Sequence, residues 1–247
     1  MQNRSFLYGD GFFESIRIID KSIPLLNLHL ERAQKTALFF GMNWPKKWDE
    51  PFFKHEIFDK YELTNGVVRI TFYRANGGLY YTENAEICFE VSSRLMNETG
   101  IFLLNENTTS DNLIRQISEL NELKLVVGTY IKKPINPLSP FKLNSAILYV
   151  YAAQQLKTAN GIDDLFLLNE DGNICEALSS NVLIYIDGNW ITPNMQTQGP
   201  VNGVYFAYMR QYISVKEKTV TINELKSAEL ILLTNATLGI RRACLIG

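Results

Sequence analysis

Three places along the chain carry side chains of types that take part in chemistry. Lys142 follows a stretch with three prolines, residues 134–140, and precedes a helical pattern. Glu176 interrupts two strand-like runs, and Arg32 lies one helical turn from His29, so that these two share a helix face. Amines, carboxylates and imidazoles act as nucleophiles and as general acids or bases. Each residue also has a plainer explanation, as a solvated loop lysine, an edge-strand carboxylate or a polar helix face.

Two further segments have the character of binding loops. Gly203 in "PVNGVYF" stands at a predicted helix start, where unpaired backbone N–H groups favour an anion such as phosphate. The segment "TNAT", residues 234–237, is a cluster of small polar residues after an apolar run. A glycine before a helix and a polar turn are both common, so neither segment alone identifies a function.

The elements that position these residues alternate between strands and helices. The patterns predict helices over residues 26–41, 144–159 and 200–213. Strands are predicted over residues 12–20, 66–75, 86–94, 99–106, 164–169, 174–186 and 190–192, and a strand–turn–strand over residues 228–246. This mixture predicts an α+β protein with a small N-terminal domain at 1–105, an interdomain connection at 106–141 and a larger, barrel-like C-terminal domain at 142–247.

Composition narrows the class of protein. The 247 residues are 46% hydrophobic and 20% charged, which is enough for a sizeable core. The net charge of −2 gives no electrostatic reason to expect nucleic acid or an anionic membrane as a partner. The three cysteines have no metal-binding spacing, and no apolar run reaches the roughly 20 residues of a membrane span. Since no signal peptide is evident, we expect a cytoplasmic protein without a bound metal.

The order of these features along the chain resembles a known family. The segments "YGDGFFESIRI", "HLERA", "FKLNSA", "EALSSNVL" and "LLTNATLGI" are together similar to class IV aminotransferases, also called fold type IV. The resemblance spans nearly the whole chain. It implies a two-domain α+β fold, with a small α/β sandwich and a larger pseudo-barrel, pyridoxal 5′-phosphate as the cofactor, an amino compound as the substrate and a homodimer.

The resemblance also implies a role for individual residues. Lys142 matches the lysine that binds the cofactor aldehyde and later moves protons, and Glu176 matches the carboxylate that pairs with the ring nitrogen. Arg32 matches the arginine that binds the phosphate through its planar fork. Further matches, to backbone or turn positions that contact the phosphate or the substrate carboxylate, are Gly203, Val204, Tyr205, Ala236 and Thr237.

The family contains several activities, and some positions disfavour two of them. D-amino-acid transaminases carry an arginine and a histidine where this chain has Leu79 and Tyr81. Branched-chain aminotransferases carry a tyrosine where this chain has Ile147, and an acidic residue where it has Ser180. The resemblance therefore implies that the carboxylate clamp of D-amino-acid transaminases is absent and that two typical branched-chain positions are not matched.

The 4-amino-4-deoxychorismate lyases match better. In "YRANGGLYY", Arg74 and Tyr81 match the lyase strand–turn, and "VNG" at 201–203 is also lyase-like. Departures are Leu79 in place of a second arginine and Phe206 where an arginine is usual. The resemblance thus predicts a lyase that forms 4-aminobenzoate and pyruvate for folate synthesis. Residues expected at the substrate are Arg74, Tyr81 and Asn181.

Two alternatives remain open from the sequence. One is an aminotransferase for branched-chain or D-amino acids that uses the same lysine. The other is a non-catalytic relative that retains only the fold, since a fold does not determine a function.

Overall fold

The computed structural model describes residues 3–96, 101–158 and 160–247, which form a mixed α+β fold. They divide into two compact units. The first unit comprises Met1–Glu98 and Phe141–Ala146, and the second comprises Thr99–Pro140 and Ile147–Gly247. The α+β class predicted from the sequence is confirmed.

The first unit is built on a three-stranded antiparallel sheet in the order β1-β2-β3. Its strands are β1 (Gly11–Ile18), β2 (Gly66–Arg74) and β3 (Ile87–Leu95). Its helices are α1 (Arg4–Tyr8), α2 (Leu26–Phe39) and α3 (Glu50–Phe58).

The core of the first unit lies where the helices cover this sheet. Alternate residues of β1, such as Phe12 and Ile16, are buried, as the two-residue period of a strand requires. Helix α2 buries the small residues Ala33 and Ala37, four apart on one face, in the same apolar cluster, which also includes Phe53 of α3. Because α2 packs closely against β1, the polar side chains that these two elements carry are held in fixed positions.

The second unit is built on an eight-stranded mixed sheet. Its strands are β4 (Glu122–Val127), β5 (Asp164–Leu168), β6 (Ile174–Ala177), β7 (Asn181–Ile186), β8 (Asn189–Pro193), β9 (Val215–Lys218), β10 (Leu230–Asn235) and β11 (Gly239–Leu245). Its helices are α4 (Ser110–Ser118), α5 (Ile147–Ala152), α6 (Val204–Met209) and α7 (Ile222–Ser227), and a 3-10 helix, Ala153–Lys157, follows α5.

The strand order of this curled sheet is β6-β5-β4-β11-β10-β7-β8-β9. Strand β4 pairs in parallel with both β5 and β11, and β10 pairs antiparallel with β11 and β7. Central strands contribute Phe166, Ile184 and Leu233 to an apolar cluster, and Leu225 of α7 packs into it. The start of β7 and the end of β10 are adjacent in this sheet, because Asn181 pairs with Thr234.

The two units begin and end at places that differ from the predicted domain boundaries. The predicted connection, residues 106–141, contains α4 and the central strand β4. Helix α4 is amphipathic, but most of its residues are polar, so the sequence pattern does not reveal it. It buries only Leu113 and Ile117, and the Thr109 hydroxyl caps its N-terminus. The segment that contains Lys142 belongs to the first unit because its backbone pairs with β1.

Two predicted elements also differ. The predicted helix over residues 144–159 begins at Ile147 and becomes a 3-10 helix at Ala153, and residue 159 lies outside the described ranges. The described part of the predicted strand over residues 99–106 forms only an isolated bridge, between Ile101 and Ile240, and residues 99 and 100 are not described.

Among the residues that the structure describes, no helix has the length and apolar character needed to cross a membrane. Within the same residues, no group of three or more histidine, cysteine, aspartate or glutamate side chains is placed to hold a metal ion.

Candidate functional site

Strand pairing fixes the backbone position of Lys142. The N–H of Phe13 donates to the carbonyl of Lys142, and the N–H of Asn144 donates to the carbonyl of Gly11, both at 3.0 Å. The Lys142 Nζ lies 4.6 Å from the centroid of the Phe13 ring, within range of a cation–π contact. The ammonium group is therefore positioned by the edge of a sheet.

The approach of this segment to β1 explains the glycine in "GDGFF". Asn144 Nδ2 donates to Ser5 Oγ at 2.9 Å and to the carbonyl of Phe72 at 3.1 Å. A Cβ on Gly11 would lie 2.5 Å from Asn144 Nδ2 and would collide with the same Phe72 carbonyl. Only glycine lets the lysine segment lie this close to the sheet.

Arg32 and His29 converge on one buried carboxylate, Glu14. Arg32 Nε donates to Glu14 Oε1 at 2.8 Å, and Arg32 Nη2 donates to Oε2 at 2.5 Å, which is a bidentate ion pair. His29 Nδ1 lies 2.6 Å from Glu14 Oε2. Glu14 is only 2% exposed. It holds the guanidinium of Arg32 in one orientation.

Electrostatics keep Glu14 ionised and His29 neutral. Burial alone raises the pKa of Glu14, but the Arg32 guanidinium and the hydrogen-bonded His29 outweigh it and lower this pKa to about 2. Burial lowers the pKa of His29 despite the neighbouring Glu14 carboxylate, and the cationic Arg32 and Lys142 lower it further. Lys142 and Arg32 therefore both lower the pKa of the same histidine within the first unit.

The strand pattern of the sequence is enough to mark Glu14 as a residue that needs a partner. Glu14 occupies the same side of β1 as Phe12 and Ile16, at the two-residue period of the buried face. An acidic residue at an inward position of an apolar strand needs a cationic partner. The nearest helix, α2, supplies Arg32 as that partner.

In the second unit, Glu176 is a buried hydrogen-bond acceptor for three groups. Its Oε1 accepts from Lys133 Nζ at 2.5 Å and from the Tyr149 hydroxyl at 2.7 Å, and its Oε2 accepts from the Val201 N–H at 2.9 Å. Glu176 is 3% exposed and Lys133 is 5% exposed. Burial, and then the adjacent carboxylate, raise the pKa of Tyr149, which remains a neutral donor.

Nothing in the sequence distinguishes Lys133 from its neighbour Lys132. Lys132 is exposed. Lys133 is buried, and its backbone N–H donates to the carbonyl of Leu168, at the end of β5, at 2.8 Å. Alternation along an extended segment turns one lysine inward and the other outward. Only the position of Glu176 in the fold explains why the inward residue is cationic.

Asn181 and Gly203 are brought together at the start of β7. Asn181 Nδ2 donates to the carbonyl of Val201 at 2.8 Å, while the N–H of Val201 donates to Glu176. A Cβ on Gly203 would overlap Asn181 Oδ1, so this position requires glycine. Val201 thus links Glu176 and Asn181 through its two backbone groups.

Helix α6 begins as predicted, after Gly203. Val204 is its first residue, and no described side chain caps its N-terminus. Tyr205 is fully buried, and its hydroxyl donates to the carbonyls of Ile101 and Phe102 at 3.0 and 2.9 Å. The Tyr205 side chain therefore belongs to the core, and only its backbone is available for binding.

Ala236 and Thr237 lie in the turn between β10 and β11. Asn235 Oδ1 accepts from the N–H and the hydroxyl of Thr237, at 3.0 and 2.9 Å. Asn235 Nδ2 donates to Ser180 Oγ at 3.1 Å, and Arg241 Nη2 donates to the same Oγ at 3.1 Å. Since Ser180 precedes β7, this turn adjoins the Asn181 position within the second unit.

The structure places Arg74 and Tyr81 in the wall of one cavity of about 260 Å³ in the first unit. The guanidinium of Arg74 donates to Asp10 Oδ2 at 3.1 Å, to the carbonyl of Asn84 at 2.9 Å and to that of Phe40 at 2.6 Å. Tyr81 is 77% exposed. Arg74 thus fixes the loops around it, while Tyr81 presents its ring at the surface.

The predicted residues are divided between the two units. In the first unit, the positive charges of Lys142 and Arg32 both affect His29, and Arg74 and Tyr81 line the cavity described above. In the second unit, hydrogen bonds connect Glu176 with the segment before α6 and with Asn181, and connect Ser180 with the turn that contains Ala236 and Thr237.

The mixed α+β fold with its curled eight-stranded sheet matches the fold type IV class of aminotransferase structures. The chain belongs to the amino-transferase class IV family, whose family model matches residues 11–246. Members of this family are known enzymes that use pyridoxal phosphate.

Comparison with individual proteins gives similarities at low identity. A putative branched-chain-amino-acid aminotransferase of Methanocaldococcus jannaschii is 23% identical over 245 residues, which covers 94% of this chain and 77% of the relative. A putative 4-amino-4-deoxychorismate lyase structure from Legionella pneumophila has a TM-score of 0.79 at 21% identity, covering 99% of this chain and 86% of that one.

An Escherichia coli branched-chain amino acid aminotransferase structure has a TM-score of 0.78 at 15% identity, covering 99% of this chain and 80% of that one. At these identities the structures establish the fold, and fold type IV is confirmed.

Proposed function

We propose that this enzyme is a 4-amino-4-deoxychorismate lyase that uses pyridoxal phosphate and releases pyruvate and 4-aminobenzoate. The observation that carries the proposal is the way the lyase-like segment, residues 201–203, is built around Glu176 and Asn181. Val201 hydrogen-bonds both residues, and Gly203 is needed to clear Asn181. The lyase-like sequence thus coincides with the structure that surrounds the buried carboxylate.

The residues of the second unit fit the ring of the cofactor. An ionised carboxylate offers about four acceptor positions, and the described hydrogen bonds to Glu176 use three. A buried carboxylate is suited to binding a protonated pyridine nitrogen. The backbone of Val204 and Tyr205 and the turn at Ala236 and Thr237 would bind the phosphate or a substrate carboxylate.

The residues of the first unit fit the remaining groups of the cofactor. Arg32 is held by Glu14 with its planar fork in a fixed orientation, which is favourable for binding an anion. Lys142 provides a primary amine on a backbone that pairs with β1, and the positive charges of Lys142 and Arg32 both lower the pKa of His29. The unprotonated amine is the nucleophilic form that would combine with an aldehyde.

When bound, pyridoxal phosphate supplies an aldehyde that combines with amines and a ring that accepts electrons. Lys142 would hold the cofactor and would then remove the proton from the amine-bearing ring carbon of the substrate. The bond from the neighbouring ring carbon to the pyruvyl oxygen breaks, the ring becomes aromatic, and the departing enol takes up a proton to give pyruvate.

The cofactor proposal is tested by the absorption of the purified protein. We expect a yellow protein that borohydride decolourises, leaving a stable adduct that peptide mass spectrometry locates at Lys142. Lys142→Ala should lose the adduct and all activity but retain the circular dichroism spectrum. A protein that stays colourless with added pyridoxal phosphate would contradict every enzymatic assignment and favour a non-catalytic relative.

The alternative function is that of an aminotransferase. It is supported by the similarity to the Methanocaldococcus jannaschii protein, which is described as a putative branched-chain-amino-acid aminotransferase. The two activities differ in whether a keto acid is required. We expect pyruvate release from 4-amino-4-deoxychorismate with no acceptor present. Turnover of branched-chain or D-amino acids that depends on 2-oxoglutarate, without lyase activity, would replace the lyase by the aminotransferase.

We further propose that the enzyme is a cytoplasmic homodimer. The first unit exposes large apolar or aromatic side chains, including Phe6, Leu79, Tyr80 and Tyr81, which are 74–89% exposed. Clusters of this kind often mark protein interfaces. Size-exclusion chromatography with light scattering should give twice the chain mass, and a monomer at micromolar concentration would contradict this part of the proposal.

A further inference from the structure

The ion pair between Lys133 and Glu176 lies within the second unit and has no role in the mechanism above. Both side chains are almost completely buried, and the Lys133 Nζ is also 5.5 Å from the centroid of the Tyr149 ring. Among the described residues, the titratable neighbours of Glu176 include Lys133, Tyr149 and Cys175. Tyr149 and Cys175 are neutral, because burial and the Glu176 carboxylate raise the pKa of each. Of these three groups, Lys133 supplies the positive charge that pairs with Glu176.

This balance has opposite consequences before and after a cofactor binds. Without a cofactor, the ammonium group prevents the cost of an unpaired buried carboxylate. A protonated pyridine nitrogen beside the same carboxylate would add a second positive charge within a few ångströms of Lys133. Like charges at such a distance disfavour each other in a partly desolvated site.

We propose that Lys133 is a positioning residue that acts through Glu176: it pairs with this carboxylate before the cofactor binds and then competes with the cofactor ring nitrogen for it. The inference rests on the proposed use of pyridoxal phosphate. Lys133 thus stabilises the protein without cofactor and weakens the binding of the cofactor ring nitrogen by Glu176.

The test compares Lys133→Met with the matched control Lys132→Met. Lys132 is the adjacent lysine, is exposed, and donates to the carbonyl of Glu170 at 3.2 Å. Melting temperatures are measured by differential scanning fluorimetry with and without pyridoxal phosphate, and cofactor affinity by fluorescence titration. For Lys133→Met without cofactor we expect a melting temperature about 6–20 °C below wild type. The cofactor should then raise it by more than it raises wild type, with affinity tighter by about tenfold.

Each outcome decides one point. Equal responses of Lys133→Met and Lys132→Met, or weaker cofactor binding by Lys133→Met, would overturn the competition. If Lys133→Met does not fold, Lys133→Met/Glu176→Gln should fold, because no unpaired carboxylate is left. A double variant that also fails would show that Lys133 acts only through packing. If wild type itself gives no shift and no colour with pyridoxal phosphate, the proposed function fails.

Discussion

Replacing Glu14 by glutamine removes the buried negative charge that pairs with Arg32 and His29. The expected loss of folding free energy follows from the pKa of Glu14. The pKa of Glu14 falls from the ordinary 4.5 to about 2 in the folded chain. One unit of pKa corresponds to about 1.4 kcal/mol, so ionised Glu14 contributes about 3 kcal/mol to folding at pH 7. Because the folded pKa is the lower one, this contribution is complete well above pH 4.5 and is lost as the pH falls towards 2.

The assay is urea unfolding followed by tryptophan emission in a Trp190→Phe background. The tryptophans left are then Trp44 and Trp48, which pack on the apolar cluster of the first unit or belong to it. We expect Glu14→Gln to lower the free energy of unfolding by about 3 kcal/mol at pH 7, and by less at pH 3.

The matched control is Glu31→Gln on the same helix as Arg32. Glu31 forms an exposed ion pair with Lys35, four residues along, and such pairs are worth only about 0.3–0.5 kcal/mol. The reasoning is refuted if Glu14→Gln costs no more than Glu31→Gln at pH 7. It is also refuted if the difference between Glu14→Gln and the parent chain is as large at pH 3 as at pH 7.

Two further substitutions test the second unit. Gly203→Ala places a Cβ against Asn181 Oδ1 and should destabilise the protein by about 1–3 kcal/mol in thermal unfolding. Adding Asn181→Ala should restore part of this loss, and a neutral effect of Gly203→Ala would contradict the observed contact. Tyr149→Phe removes one hydrogen bond to the Glu176 carboxylate and should cost about 1.5–3 kcal/mol in urea unfolding, whereas an unchanged midpoint would show that Lys133 and Val201 suffice.

The elements with strong periodic patterns were predictable from the sequence. The strand–turn–strand over residues 228–246 corresponds to β10 and β11, and the helix over residues 26–41 corresponds to α2. Strand β4 was not predicted because the residues on both sides of it are polar or proline-rich, although the strand itself, ELKLVV, is mainly apolar. Its central place in the sheet comes from pairing with β5 and β11. Sheet order depends on contacts between distant segments, which local patterns do not encode.

For the site, the sequence and its resemblance supplied the residues expected to meet a ligand, but not their internal partners. Glu14 is 18 residues from Arg32, and Lys133 is 43 residues from Glu176. Neither separation is a local spacing of a helix or a strand. A partner of this kind becomes visible only when both ends of the pair are seen to be buried in the same unit.

Both units neutralise a charge of the proposed site with a residue of their own. In the first unit Glu14 balances Arg32, and in the second Lys133 balances Glu176. Because burying an unpaired charge costs several kcal/mol, these pairs let each unit fold before any cofactor is present. Glu14 also orients the guanidinium of Arg32 for an anion, whereas Lys133 would compete with a ring nitrogen for Glu176. The two ion pairs therefore both oppose unfolding of the empty protein, but only the Lys133 pair opposes tight cofactor binding. Removing the charge of Lys133 should reduce stability without cofactor while increasing the stabilisation that the cofactor gives.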